Sequence, residues 1–425
     1  MARLKGAAEA GGDLPQTAVA MRGIRGTVWR SSKIPELEEG SFVELPSYDE
    51  TASDKKAYAA SFKIQYRNTD PYSAKRIVER TEARWVVEEP PAFPLEPERL
   101  DRVYELPYER RWHPMYDALG GVPALAEVQF SLVSSRGCFG GCSFCALAFH
   151  EGRIVTGRSK GSLVGEARGL MRLPGWKGYI HDVGGPTANF RGPACPKMAA
   201  AGACQDRRCL APEPCPNLVV DHRDYLEVLR AIRAIPGVKK VFIRSGIRYD
   251  YLVRDPDESF FRELVEHHVS GQLKVAPEHV SERVLALMGK PRHEVYAKFA
   301  KRYAELNREL EMKQYLVPYF ISAHPGAGLP EAIELAEYLR DSGFVPDQVQ
   351  DFYPTPGTLS TAMYWTGADP LTGEALHVAR GAHERAQQRA LLQFNKPENR
   401  ELVRGALIEA GRRDLIGRGP KCLIP

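Results

Sequence analysis

Hydrophobic and polar positions give the chain three textures. Up to residue 118 the apolar runs are short: Thr27-Val28-Trp29 and Phe42-Val43-Glu44-Leu45 predict small strands. Ala57, Ala60 and Ile64, with Tyr58 and Phe62, fall at helical spacing and predict a helix over 51–68. The proline-rich stretch from Glu88 to Pro94 reads as an extended connector. Residues 1–18, rich in Ala and Gly without periodicity, read as a flexible lead-in. From 119 to 352 the pattern becomes regular. Predicted strands at 128–133, 178–183, 240–244, 273–276, 314–321 and from 349 alternate with predicted helices at 162–172, 224–234, 260–268, 281–288, 294–311 and 330–341. Strand alternating with helix six times predicts parallel βα units. Six units are too few for a closed eightfold barrel, so the expected fold class is α/β, a partial (β/α)6 barrel. Residues 19–118 are then an N-terminal appendage, 119–352 the barrel with a Cys-rich insertion at 190–217, and 353–425 a helical C-terminal extension. Ligands in such folds gather at the C-terminal strand ends.

Composition narrows the classes. Of 425 residues, 43% are hydrophobic and 26% charged, which excludes a disordered chain. No apolar run approaches the ~18 residues of a membrane span. A net charge of +4 permits contact with a polyanion without arguing for it, so nucleic acid stays open as a partner. Eight cysteines are present, seven of them between Cys138 and Cys215. A disulfide scaffold would be short and secreted, and the start, Met1-Ala2-Arg3-Leu4-Lys5-Gly6, has no apolar signal region. The expectation is a reducing cytoplasm, in which clustered cysteines hold metal.

Cys138, Cys142 and Cys145 lie in a glycine-rich loop, Arg136-Gly137-Cys138-Phe139-Gly140-Gly141-Cys142-Ser143-Phe144-Cys145, directly after the first barrel strand. Thiolates ligate iron–sulfur clusters and zinc. A structural zinc site wants four protein ligands, whereas three on a four-iron cluster leave one iron open. The C-x3-C-x2-C spacing, with an aromatic before the last cysteine, resembles the signature of radical S-adenosylmethionine (SAM) enzymes. That resemblance implies a [4Fe-4S] cluster on these three cysteines, whose free iron takes the methionine end of SAM. It also implies SAM cleavage to a 5′-deoxyadenosyl radical, with Phe144 beside the adenine. Gly184-Gly185 at the end of the second strand match a Gly-Gly-acid segment that meets the SAM amino group in that family, but Pro186 replaces the acid. Thr187 or Asn189 is the expected substitute. Arg244-Ser245-Gly246-Ile247-Arg248 lies where the family holds the SAM carboxylate and ribose, and a guanidinium suits a carboxylate. Arg244 and Ser245 are the candidates, with Arg248 as the other arginine. Ala323-His324-Pro325-Gly326 resembles the turn that faces adenine.

Cys195, Cys204, Cys209 and Cys215, spaced C-x8-C-x4-C-x5-C among prolines, form a second group. Four thiolates suit zinc or a second iron–sulfur cluster, and the spacing does not choose between them. Cys422 reads as a small apolar residue near the C-terminus. His150, His181, Glu278 and His279 sit near loop ends on the expected active face, where each can move protons or simply orient loops.

Longer stretches, residues 134–153 (SSRGCFGGCSFCALAFHEGR), 178–190 (GYIHDVGGPTANF), 242–251 (FIRSGIRYDY), 271–279 (GQLKVAPEH) and 349–358 (VQDFYPTPGT), resemble the YgiQ-type radical SAM proteins. Members of that family usually carry a further domain ahead of this region, where this chain has its short lead. The resemblance implies an enzyme with a [4Fe-4S] cluster and SAM as cofactors, an electron donor such as flavodoxin or ferredoxin, and a substrate it does not specify. The alternative is a non-catalytic metal-cluster protein that binds RNA or a protein partner.

Overall fold

The computed structural model describes residues 22–33 and 35–425, so the expected lead-in over 1–18 lies outside the described residues. The chain separates into two compact α/β units, each assembled from several segments.

The first unit takes the described residues up to 94, with 197–207 and 354–376. Its sheet has strands β1 (Val28–Ser31), β2 (Phe42–Glu44), β3 (Arg76–Thr81) and β4 (Arg84–Glu88) in the order β1-β4-β3-β2. β3 and β4 form an antiparallel hairpin, β1 runs antiparallel to β4, and β2 runs parallel to β3. The hairpin lacks the usual turn signal, because a glutamate, Glu82, takes the positive φ (53°) where Gly or Asn is expected. The single helix expected over 51–68 is two helices, Tyr48–Ser53 and Lys55–Arg67. Asp54 divides them, its carboxylate accepting from Lys56 N at 3.0 Å and Ala57 N at 3.2 Å as the N-cap of the second.

The second unit takes residues 95–196, 208–353 and 377–425. Its principal strands are β5 (Ser131–Val133), β8 (Tyr179–Ile180), β9 (Asp182–Gly184), β10 (Lys240–Val241), β11 (Gln272–Glu278), β12 (Tyr315–Ser322) and β13 (Gln350–Asp351). β5 pairs parallel with β9, β8 with β10, β11 with β12, and β12 with β13, in three separate short ladders of which β11-β12-β13 follows chain order. Phe242 N donates to Ile180 O at 3.0 Å and extends the β10 contact beyond its two-residue ladder. A small antiparallel ribbon, β6 (Ser135–Arg136) with β7 (Thr156–Gly157), rises from the end of β5.

Helices cover the parallel strands as the periodicity predicts. Lys160–Leu170 begins at Ser159, whose hydroxyl accepts from Ser162 N, and it buries Leu163, Ala167 and Leu170. Arg223–Arg233 buries Tyr225, Leu226, Val228, Leu229 and Ile232 on one stripe. These side chains meet Leu132, Ile180, Val183, Val241 and Leu273 in one core, burying apolar area at roughly 25 cal/mol per Å². A second core joins the helix Leu329–Ser342 to the C-terminal helices Ala382–Leu392 and Arg400–Glu409 through Leu335, Leu339, Leu391 and Leu407. Among the described residues no helix is long and apolar enough to cross a membrane.

Candidate metal and cofactor site

The cysteine loop is fixed at its base. The β6–β7 ribbon closes it, Cys138 N donates to Gly152 O at 3.0 Å, and Gly137 N donates to Glu151 Oε2 at 3.2 Å. Gly137 has φ 90°, and a Cβ there would collide with Ile154 O. Phe139, 1% exposed, stacks on Phe190 at 3.7 Å and meets Tyr251 edge-on at 5.8 Å. The far end of the loop is tied to the helix Glu282–Met288, with Ser143 N donating to Met288 O at 2.8 Å and Ser143 Oγ to Leu287 O at 2.7 Å. Three thiols are therefore held on a rigid loop at the C-terminal end of β5.

Burial pushes the Cys138 thiol up from its ordinary value and the Cys145 thiol up to about 11. A cation would reverse this, since metal binding selects the thiolate. Gly140 N donates to Cys138 Sγ at 3.4 Å, and Arg248 Nη1 donates to Cys142 Sγ at 3.4 Å. Among the described residues no three His, Cys, Asp or Glu side chains converge in a form able to hold a single metal ion. A four-iron cluster does not ask for that convergence, because each cysteine takes a different iron. The donor set and its N–H and guanidinium neighbours fit such a cluster.

The expected SAM residues divide by placement. Thr187 is buried, and its Oγ1 shares a hydrogen bond with Cys138 Sγ at 3.5 Å, so the loop after β9 reaches the cysteine loop. Ser134 N donates to Gly184 O at 2.6 Å, continuing the β5–β9 pairing. A Cβ on Gly184 would run into Ser245 Oγ and an Asp182 carboxylate oxygen, and one on Gly185 would lie 2.8 Å from Ser135 Oγ. Ser245 is bound through Oγ and N to Asp182, and Arg244 N donates to Asp182 Oδ1 at 2.8 Å. Asp182 thus ties the ends of β9 and β10 together, a role that sequence reasoning missed. The Arg244 guanidinium instead pairs with Glu127 at 3.3 Å on the exposed side. Asn189 is 1% exposed and spends its amide on the protein: Oδ1 accepts from Arg248 N at 2.9 Å and Nδ2 donates to Arg248 O at 3.2 Å. Phe144 and His324 meet edge-on at 6.2 Å, and His324 meets Phe352 at 5.3 Å.

A charged pair at the end of β11 also went unweighted as a unit. Glu278 and Lys290 are both buried, 3.7 Å apart, and burial raises the Glu278 carboxyl despite the ammonium. Glu278 takes a positive φ of 70°. Of the second cysteine group, Cys195, Cys209 and Cys215 belong to the second unit and Cys204 to the first. Cys215 N donates to Cys209 O at 2.9 Å, closing a turn in the second unit. In the first, Lys197 Nζ approaches Cys204 Sγ at 3.1 Å.

Residues 8–131 match the family model described as Radical SAM N-terminal. A UPF0313 protein of Clostridium perfringens (strain 13 / Type A) is 55% identical over 404 residues, covering 95% of this chain and 61% of its own length. The radical SAM description is carried by the match over residues 8–131. Another UPF0313 protein, from Clostridium botulinum (strain 657 / Type Ba4), is 52% identical over 406 residues, covering 96% of this chain and 63% of its own. The chain therefore spans somewhat over three-fifths of the curated relatives it matches. Residues 347–425 match a domain of unknown function. A solved structure of the radical S-adenosylmethionine methyltransferase TsrM from Kitasatospora setae aligns at a TM-score of 0.35 and 16% identity, over 63% of this chain and 44% of its own. That alignment is too loose to carry an argument.

Proposed function

We propose that this chain is a YgiQ-type radical SAM iron–sulfur protein whose barrel, residues 119–352, binds a [4Fe-4S] cluster on Cys138, Cys142 and Cys145 and SAM beside it. All-parallel pairing of the principal strands, with helices over them, supports reading this region as a partial (β/α)6 barrel. Held by Cys138, Cys142 and Cys145, the cluster would supply the single electron for reductive cleavage of SAM.

The protein's own residues prepare that site. Gly184 and Gly185 keep the β9 end free of side chains, so a ligand meets backbone there. Thr187 joins that end to the Cys138 side of the loop. Asp182 holds Ser245 and the backbone of Arg244 at one edge, and Asn189 clamps the backbone at Arg248. Phe144, beside His324, offers an aromatic edge to the adenine. The carrying observation is the hydrogen bond between Cys138 and Thr187, because it places the three-cysteine loop against the Gly-Gly strand end.

The test is anaerobic reconstitution with iron and sulfide, reduction, and assay of 5′-deoxyadenosine from SAM. The proposal expects SAM cleavage by the native chain and its loss, with lowered iron, in Cys142→Ala. Iron uptake without SAM cleavage supports the alternative of a non-catalytic cluster protein. Full iron and normal cleavage in Cys142→Ala refute the cluster assignment. Zinc and iron analysis of the same variant reports what the second cysteine group holds.

A further inference from the structure

Arg248 is a buried arginine at the metal site that sequence reasoning offered only as a SAM-carboxylate ligand. Its guanidinium is already committed. Nε donates to Asp250 Oδ1 at 2.8 Å and Nη2 to Asp250 Oδ2 at 2.6 Å, a bidentate pair with both side chains under 10% exposed. The remaining nitrogen, Nη1, points at Cys142 Sγ, 3.4 Å away. Both backbone polar groups of Arg248 are held by the Asn189 amide. Gly140 supplies an independent observation: a Cβ there would lie 2.5 Å from Arg248 Nη1 and 3.3 Å from Cys138 Sγ. Gly140 is not in the left-handed region, so its backbone does not require glycine. The guanidinium does.

From this we infer that Arg248 is a positioning residue for the cluster, oriented by Asp250 and given room by Gly140, and that it sets the cluster's reduction potential rather than binding the SAM carboxylate. The inference rests on the three-cysteine cluster proposed above. Reduction adds one electron and no bond or proton, so the ligand sphere gains one negative charge. A cationic N–H donor at a ligating sulfur stabilises that extra charge, and hydrogen bonds to sulfur are among the levers that set such potentials. The Asp250 carboxylate keeps the buried guanidinium paired and aims its free edge at the loop. Lys290 and Glu278, the other charged pair near this end of the site, balance each other at 3.7 Å.

Native chain, Arg248→Gln, Arg248→Lys and Gly140→Ala are reconstituted anaerobically and titrated with dithionite through mediator dyes, the reduced fraction being read by electron paramagnetic resonance. SAM binding is measured in parallel by equilibrium dialysis. At the potential where the native cluster is half reduced, the reduced-to-oxidised ratio of Arg248→Gln is expected to be about tenfold lower, ~59 mV for one electron. Gly140→Ala shifts in the same direction with Arg248 intact, Arg248→Lys shifts less, and SAM affinity stays within about threefold of native. A native midpoint in loaded Arg248→Gln overturns the inference, as does an unchanged midpoint with SAM affinity lost. If Arg248→Gln takes up no iron, Gly140→Ala decides: a lowered midpoint supports the inference and a native one overturns it. A native chain that takes up no cluster instead refutes the underlying site assignment, and so separates the two failures.

Discussion

Phe139 offers a direct test of how the cysteine loop is held. It sits between Cys138 and Gly140, 1% exposed, face to face with Phe190 and edge-on to Tyr251. Replacing a buried phenylalanine by alanine costs about 3–5 kcal/mol, the cavity adding to the lost transfer energy, and the ring stack accounts for ~0.5–1.5 of it. Because every ~1.4 kcal/mol is tenfold, the lower figure corresponds to about a hundredfold rise in loop opening. The cost is expected to be largely local, since Phe139, Phe190 and Tyr251 lie outside the two large cores, which the stack reaches through His222 and Phe260. Hydrogen exchange followed by mass spectrometry on Phe139→Ala should show peptides within 137–145 losing protection by about that factor. The helix Arg400–Glu409, in the separate C-terminal core, serves as the internal reference and should keep its protection. Phe139→Leu, which keeps much of the volume, should fall between. Unchanged protection in the loop would refute the reasoning, and so would an equal loss in both regions, which would mean that Phe139 supports the whole unit.

Three further outcomes are expected. Gly184→Ala should weaken SAM binding at least about tenfold through its collision with Ser245 and Asp182, whereas Gly165→Ala, with open space around its Cβ on a helix, should leave SAM affinity native and stabilise the fold by about 0.5–1 kcal/mol; native SAM affinity by equilibrium dialysis in Gly184→Ala counts against the Gly184 argument. Burial pushes His268 and His324 down to about 4 and His279 down to about 3, so all three fold neutral. Their contribution to stability is whole above the unfolded value near 6.5 and is lost as pH falls toward those values, by about 2 kcal/mol per histidine between pH 6.5 and 5; a urea midpoint constant over that range would contradict this. Glu166→Gln should lower the melting temperature by leaving the buried Arg158 charge uncompensated, at about 3–5 kcal/mol, and a native melting curve would show that Ser162 and Val133 suffice as partners.

The parallel strands and helices of the second unit are legible where a strand is a largely apolar run, as in Tyr315–Ser322, and its covering helix carries an apolar stripe, as in Arg223–Arg233. The β3–β4 hairpin was not legible, since its turn uses Glu82 at positive φ in place of the glycine or asparagine that would mark it. The strand expected over 128–133 begins only at Ser131, because Leu125–Val128 close a helical turn first. Local propensity does not distinguish those two uses of a mixed apolar run.

The sequence by itself determined the alternation of strand and helix, the three-cysteine loop after the first parallel strand, and the glycines at the end of the second. All are written in neighbouring residues, where period and spacing are read directly. Tertiary structure alone decided what each polar side chain touches. Arg244 and Arg248 are four apart in one segment, yet one faces solvent beside Glu127 and the other is buried against Asp250 and Cys142. Asn189 and Asp182 became clamps between strand ends far apart in the chain. The chain separates into units that exchange segments, so that Cys204 groups with the first while its neighbours Cys195, Cys209 and Cys215 group with the second. Burial and partnership depend on which strands lie side by side, and no local pattern encodes that.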